Sequence, residues 1–394
     1  MKKYALIALS QQSIPNILFI KKFETEIDHL IIIGSEEAER DFNAKEVIMN
    51  FIDKSKTKIV YIKVQAVDFH DVFTKLKSKD FAKKDSFLIN LTGGTKATSL
   101  AIYTYFRYYS NASFYYSPIG KNSIYKLNTL ENPTHENLNY KLCVKGYLNA
   151  YDISIPNKSS KTMEDKEAAI KMYSIYKDPN HSFKDDTKVL YDINGFKFSF
   201  KGNDIKKQLG DKIKLNQYFI DNKIDGVTFL KRIHELIKAL VGKEVDLKTK
   251  WIKYLTGGWF EEYIYHHLRS FNVTDIKANF HYETKTEDGK TTNEIDIAFT
   301  HENKFYVIEC KTSLETKEKD NIANDTIYKL DSLSGKMGLS AKKFLFTLDN
   351  ETYAKENVQS RLNHNKIESP HPDNLSPDKI DKTLEDLFKI KKLS

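Results

Sequence analysis

Four short, largely apolar runs, Tyr4–Leu9, Leu30–Ile33, Ile59–Ile62 and Phe87–Leu91, punctuate the early part of this chain. Between them, at about 16–26, 36–54 and 68–79, apolar residues recur at intervals of three and four. Strands apolar on both faces must be covered on both faces, and the intervening helices supply the crossovers that parallel strands require. The pattern predicts a Rossmann-like α/β domain. A hairpin from Ser113–Ser117 and Ser123–Leu127, turning at Pro118 and Gly120, closes its sheet.

At 394 residues the chain exceeds one ordinary core, and a second α/β pattern begins near residue 250. Trp259, Phe260, Tyr263, Ile264, His267 and Leu268 stand at helical spacing after Gly257-Gly258. Strands follow at about 276–284, 294–300 and 304–311, then a helix near 322–334 and a strand over Lys343–Leu348. The tail after Asn357 reads as polar, with Pro370, Pro372 and Pro377 before a short last helix. The middle reads as a connector, with loops at Asn157–Thr162 and Lys177–His181, a hairpin over Val189–Phe200 and an amphipathic helix at 227–242. The expected organisation is a domain over 1–150, a connector over 151–250 and a domain over 251–394.

A net charge of +8 suits a polyanionic partner, and equally an ordinary lysine-rich surface. The two cysteines, Cys143 and Cys310, are far apart with no CxxC pair, against both a disulfide framework and a cysteine zinc site. The apolar run after Met1-Lys2-Lys3 is short and lacks a cleavage pattern, so it reads as a first strand and not a signal peptide. No stretch approaches the roughly 20 apolar residues needed to span a bilayer. A cytoplasmic protein with no membrane partner is expected.

Chemistry concentrates first in Glu294–Lys311, E-I-D-I-A-F-T-H-E-N-K-F-Y-V-I-E-C-K. Alternation puts Ile295, Ile297 and Phe299 on one strand face and Glu294 and Asp296 on the other. On the next strand Phe305, Val307, Glu309 and Lys311 share a face. A carboxylate and an ammonium ending an apolar strand are costly to bury alone. A divalent cation held by Asp296 and Glu309, with the Cys310 carbonyl as a further oxygen, offsets that cost. Such oxygen donors suit Mg²⁺ or Mn²⁺. Lys311 then orients the attacking water and stabilises developing negative charge, as phosphodiester hydrolysis requires. Glu261, beside Phe260 and Ile264 on the inward stripe, is the expected supporting acid, and Glu262 is its rival. His266, His267 and His281 lack ligand spacing and read as structural or surface residues, and Lys329 reads as a surface lysine.

The second constellation is Asn90-Leu91-Thr92-Gly93-Gly94-Thr95-Lys96, at the end of a strand and the start of a helix. Glycines admit a ligand close to the backbone, and a helix start offers N–H donors to an anion. Thr92, Thr95 and Lys96 add donors. The spacing is not that of a Walker A loop, and a tight turn with a helix cap explains the same residues.

Asp296-x12-Glu309-x-Lys311 resembles the PD-(D/E)xK nuclease superfamily, without the proline that often precedes the first acid. N-L-T-G-G-T-K after the fourth strand, with Gln11-Gln12-Ser13-Ile-Pro15-Asn16 after the first, resembles a CARF domain, the CRISPR-associated Rossmann-fold sensor of cyclic oligoadenylates. With G-G-W-F-E-E-Y-I-Y at 257–265, the chain resembles the CARF–PD-(D/E)xK ancillary nucleases of type III CRISPR defence. The resemblance covers about 1–130 and 250–350 and departs at Ser334-Gly-Lys-Met-Gly338, where the family's glycine pair is split. It implies a homodimer that binds cyclic tetra-adenylate and cleaves nucleic acid, DNA or RNA, with little sequence specificity. It also implies ligand contacts from Ser10, Gln11, Gln12 and Ser13 besides the Asn90–Lys96 loop, with Ser35 within reach and Tyr116 placed to stack on a base. A restriction- or repair-type nuclease without a nucleotide switch, or a non-catalytic sensor, are the competing readings.

Overall fold

The computed structural model describes residues 1–127, 134–156, 165–178, 186, 189, 190, 192, 193, 199–201, 204–206, 209–286, 289–314 and 322–393. The expected loop at Asn157–Thr162 lies outside the described residues, as do half of the Val189–Phe200 segment and the end of the Lys177–His181 loop; where that segment is described, Val189, Leu190, Asp192 and Ile193 are helical and not the first strand of a hairpin. The chain divides into two compact units. One holds Met1–Ser159, Val273–Val307 and Tyr328–Lys343, the other Ser160–Asn272, Ile308–Ile327 and Phe344–Ser394.

In the first unit, β1 (Lys3–Ala8), β2 (His29–Gly34), β3 (Lys58–Lys63), β4 (Ser86–Asn90), β5 (Ala112–Tyr116), β6 (Ser123–Lys126) and β7 (His135–Asn137) form one sheet, ordered β3-β2-β1-β4-β5-β6-β7. β1 to β5 pair in parallel, with Leu6 opposite both Ile31 and Ile89, and β6 and β7 add antiparallel. The apolar runs are thus the strands, and Ala5, Leu6, Ile7 and Ala8 are almost wholly buried. Phe87 stacks on Tyr4 at 5.2 Å and meets Phe106 at 4.8 Å. Each such side chain contributes about 1.5–3 kcal/mol through burial. Order reverses between β1 and β4, so their carboxyl ends open side by side, where a ligand crevice forms in sheets of this kind.

A small sheet joins β8 (Ser199–Lys201), β9 (Asp204–Lys206) and β10 (Leu247–Lys248) in the order β10-β8-β9. The amphipathic helix expected at 227–242 runs Gly226–Val241, capped by Asp225 and ended by Gly242 at φ 69°.

The third sheet is ordered β11 (Asp275–Thr286), β12 (Gly289–His301), β13 (Lys304–Lys311), β14 (Lys342–Thr347) and β15 (Ile367–Glu368). β11, β13 and β14 lie within two residues of the positions read from alternation, while β12 starts five residues earlier than expected, at Gly289. The tail is more ordered than its polarity suggests. A helix spans Glu356–His364 with Val358 and Leu362 buried, β15 follows, and the last helix spans Ile380–Phe388.

Candidate functional site

At the carboxyl ends of β1 to β4 lies a cavity of 790 Å³. Ser10 and Gln11 after β1, Ser35 after β2, Lys63 at the end of β3, and Gly94 and Thr95 after β4 line it. Glu36 and Glu37 also face it, so its lining carries both signs of charge.

The loop after β4 is built by side chains that hold strand ends together. Buried Asn90 donates to Asn16 Oδ1 at 2.9 Å, and Asn16 donates to the Ala8 carbonyl at 2.7 Å. The Thr92 N–H and hydroxyl both reach Asn90 Oδ1, at 3.1 and 2.7 Å, and Thr92 Oγ1 accepts from the Ser117 N–H at 2.7 Å. Gly93 lies so close to β1 that a Cβ there would strike the Ala8 carbonyl, and Gly94 has φ 76°. Glycine is therefore required at both positions. Thr95 caps the helix Lys96–Phe106 by accepting from the Thr98 N–H at 3.2 Å, and both threonine hydroxyls donate to the Ala66 carbonyl after β3.

Of the expected ligand residues, Ser10, Gln11, Ser35, Gly94 and Thr95 line the cavity. Asn90, Thr92 and Gly93 form the framework beneath it. Ser13 is buried before the helix Ile14–Phe23, while Lys96 and Tyr116 are exposed. Gln12 directs its carboxamide to Tyr151 and Leu339. Sequence reasoning did not pick out Lys63 or the Ala66 carbonyl, which no motif marks.

The second constellation stands as follows. Asp296 on β12 is 6% exposed and Glu309 on β13 is 2% exposed. The Lys311 ammonium lies 2.7 Å from Glu309 Oε1 and donates to the Cys310 carbonyl at 3.3 Å. A cationic group thus already rests on two of the oxygens expected to face a metal, and the donors are of the hard type that Mg²⁺ and Mn²⁺ favour. Among the described residues, no group of three or more His, Cys, Asp or Glu side chains is arranged to hold a metal.

The chain leaving β13 is fixed at several points. Tyr176 donates to the Thr312 carbonyl at 3.0 Å. Asp349 accepts from the Leu314 N–H at 2.9 Å, the Ser313 hydroxyl at 3.3 Å and the Thr352 N–H at 2.9 Å. Burial works to raise the Asp349 pKa, but these hydrogen bonds outweigh it and hold the carboxyl below its ordinary value.

The burial of the two helix acids is the opposite of what the inward stripe led one to expect. On the helix Trp259–Leu268, Glu262 is 3% exposed while Glu261 is only half-buried. Against this helix packs another at Lys166–Lys177, within the expected connector. Its Tyr173 stacks on Tyr263 at 5.1 Å, and its Tyr176 packs against Trp259 at 5.5 Å, covering the flank beside Glu262. Burial, with the Glu262 carboxylate nearby, pushes the Tyr254 phenol above its ordinary pKa.

A Rossmann-like sensor domain followed by an endonuclease domain is the class of protein that this architecture defines. Two family models match the chain, the Card1 CARF domain over residues 5–147 and the Card1-like endonuclease domain over 248–389. Together they take in most of the sequence, and the chain belongs to the family that joins these two domains. Among solved structures it resembles Can2 from Sulfobacillus thermosulfidooxidans, solved in complex with cyclic tetra-adenylate. That match has 20% identity over 96% of this chain and 98% of that one, with a TM-score of 0.64. It also resembles protein VC1899 from Vibrio cholerae, at 16% identity over 98% of both chains and a TM-score of 0.70. At these identities the likeness is one of fold. No curated protein matches the sequence significantly. No helix among the described residues is long and apolar enough to cross a membrane.

Proposed function

We propose that this chain is a metal-dependent nuclease of type III CRISPR defence, switched by cyclic tetra-adenylate bound across a homodimer of its CARF domains. The observation that carries the reading is the union in one chain of a hydroxyl-rich cavity at the β1/β4 crevice with an endonuclease strand ending Glu309-Cys310-Lys311. The Can2 structure, which holds cyclic tetra-adenylate and shares the fold over nearly the whole chain, supports the choice of activator.

In this reading residues 1–150 sense the ligand, 251–394 cut, and 151–250 connect them. Ser10, Ser35 and Thr95 offer hydroxyls, and Gln11 a carboxamide, to the ring of phosphates and bases. Gly93 and Gly94 let the backbone approach, Lys96 supplies a cation, and Tyr116 offers a stacking face. Asp296, Glu309 and the Cys310 carbonyl hold Mg²⁺ or Mn²⁺, which lowers the pKa of bound water and offsets charge on the phosphoryl group. Lys311 orients the attacking water and stabilises the developing oxyanion. A helix acid supports them, either Glu261 as read from the sequence or the more deeply buried Glu262. The substrate is DNA or RNA, taken without base readout, and the protein acts in the cytoplasm.

The test is cleavage of plasmid DNA, single-stranded DNA and RNA with Mg²⁺ or Mn²⁺, with and without each cyclic oligoadenylate. Cleavage that rises only with the cyclic tetramer supports the reading. Equal cleavage without any activator points to a restriction- or repair-type enzyme, and ligand binding with no cleavage of any substrate points to a sensor alone.

A further inference from the structure

Ser10 and Gln11 face the cavity, and the next residue turns the other way. Gln12 Oε1 accepts from the Tyr151 hydroxyl at 3.1 Å and from the Leu339 N–H at 3.2 Å. Leu339 belongs to the turn Met337–Ser340, which leads directly into β14. Buried Tyr147 holds the same turn, donating to the Met337 carbonyl at 3.2 Å and lying 3.1 Å from Ser340 Oγ. Gly338, at φ 86°, packs so tightly on Tyr151 that a Cβ would run into the phenol oxygen. One side chain from the cavity loop and two tyrosines thus grip four consecutive residues, all within the first unit.

The grip is linked to the cavity on its other side. Ser10 Oγ donates to the carbonyl of Gln12 itself, at 3.2 Å. A phosphate is a stronger acceptor than a peptide carbonyl. A ligand that captures the Ser10 hydroxyl removes the bond that fixes Gln12, and the Gln12 carboxamide cannot shift without disturbing both of its donors. The part-buried Tyr151 phenol is left without its acceptor when Gln12 shifts, which is costly, so the phenol and the turn packed on it move with Gln12 or find a second arrangement.

We infer that Gln12 is the residue that couples the cavity to the endonuclease sheet, through Tyr151 and the Met337–Ser340 turn to β14, the neighbour of β13 in that sheet. The inference rests on the reading above, in which the cavity takes a cyclic oligoadenylate and the sheet carries the nuclease residues.

The experiment uses the full-length protein and synthetic cyclic tetra-adenylate. Binding is measured by calorimetry, stimulated cleavage on plasmid DNA, single-stranded DNA and RNA, and hydrogen exchange at the Leu339 amide, for wild type, Tyr151→Phe, Gln12→Ala and the double variant. Tyr151→Phe removes one donor and keeps the ring in place. It is expected to bind the ligand within about threefold of wild type and to lose about tenfold of its stimulation, within the usual range of coupling between sites. Ligand should change exchange at Leu339 in wild type and not in Tyr151→Phe. The double variant should lose no more stimulation than the stronger single variant, the signature of one shared interaction. If wild type responds to the ligand and Tyr151→Phe responds equally, with the same exchange at Leu339, the coupling role is wrong and the functional reading stands. If wild type neither binds the ligand nor is stimulated by it, the functional reading fails and takes this inference with it.

Discussion

Lys311 reaches back along its own strand to the acid two positions earlier, its Nζ 2.7 Å from Glu309 Oε1. Residues i and i+2 of a strand share a face, so this pairing follows from strand geometry alone. The acid is almost wholly buried, whereas the lysine side chain keeps 31% of its surface exposed. The pair is thus anchored at its acidic end and open at its basic end.

Glu309→Gln preserves shape and removes the charge, so it should fold normally and lose about 100-fold or more of metal-dependent cleavage. Lys311→Ala should lose a similar factor. Chelation with EDTA should stop cleavage of wild type while leaving cyclic tetra-adenylate binding intact. Plasmid nicking at wild-type rate by either variant would remove both residues from the site.

The two helix acids can be separated by the same assay. Glu262→Gln should reduce cleavage at least about tenfold more than Glu261→Gln, because a buried carboxylate acts with less solvent screening than a half-exposed one. A greater loss at Glu261 would mean that burial is not what selects the supporting acid.

Gly93→Ala forces a methyl group against the Ala8 carbonyl. Overpacking of this kind costs about 1–3 kcal/mol. Thermal unfolding should show a lowered Tm for Gly93→Ala, while Gly335→Ala, whose Cβ would meet nothing within 4 Å, should lie close to wild type. Equal Tm values for the two variants would contradict the close approach of the two loops.

Acid should weaken the fold through histidines whose folded pKa is depressed. Burial lowers the pKa of His267 below its ordinary 6.5, against the opposing pull of Asp381, whose carboxylate lies 2.8 Å from Nδ1. His266 and His29 are shifted the same way, with burial the largest cause. A group with a depressed histidine pKa binds its proton more tightly when unfolded. Stability from these three residues is therefore full above pH 6.5 and declines as pH falls toward their folded values. Denaturant titrations between pH 7.5 and about 5 should show that decline, and His267→Phe should flatten part of it. A slope unchanged in His267→Phe would assign the effect to other groups.

The strands were legible because each is either a short apolar run or a clean alternation, as in Tyr4–Leu9 and Ile295–Phe299. The glycine loop was legible for the same local reason, since Gly93, Gly94 and Thr95 form a turn and cap within a few residues. What escaped reading depends on distant partners. Glu262 sits on a helix packed against another some 90 residues earlier, whose small Ala168 and Ala169 gave little amphipathic signal. Gln12 meets residues 139 and 327 positions away, and no local pattern encodes such a meeting.

Asn16 is bonded to both Ala8 and Asn90, and Gly93 rests on the same Ala8 carbonyl, so the loops after β1 and β4 share one anchor. A designer wishing to retune the cavity for a larger or smaller ring cannot treat either loop as a separate cassette. Grafting one alone leaves an orphaned amide or a steric clash in the sheet. The transferable module is the pair, exchanged together with its asparagines.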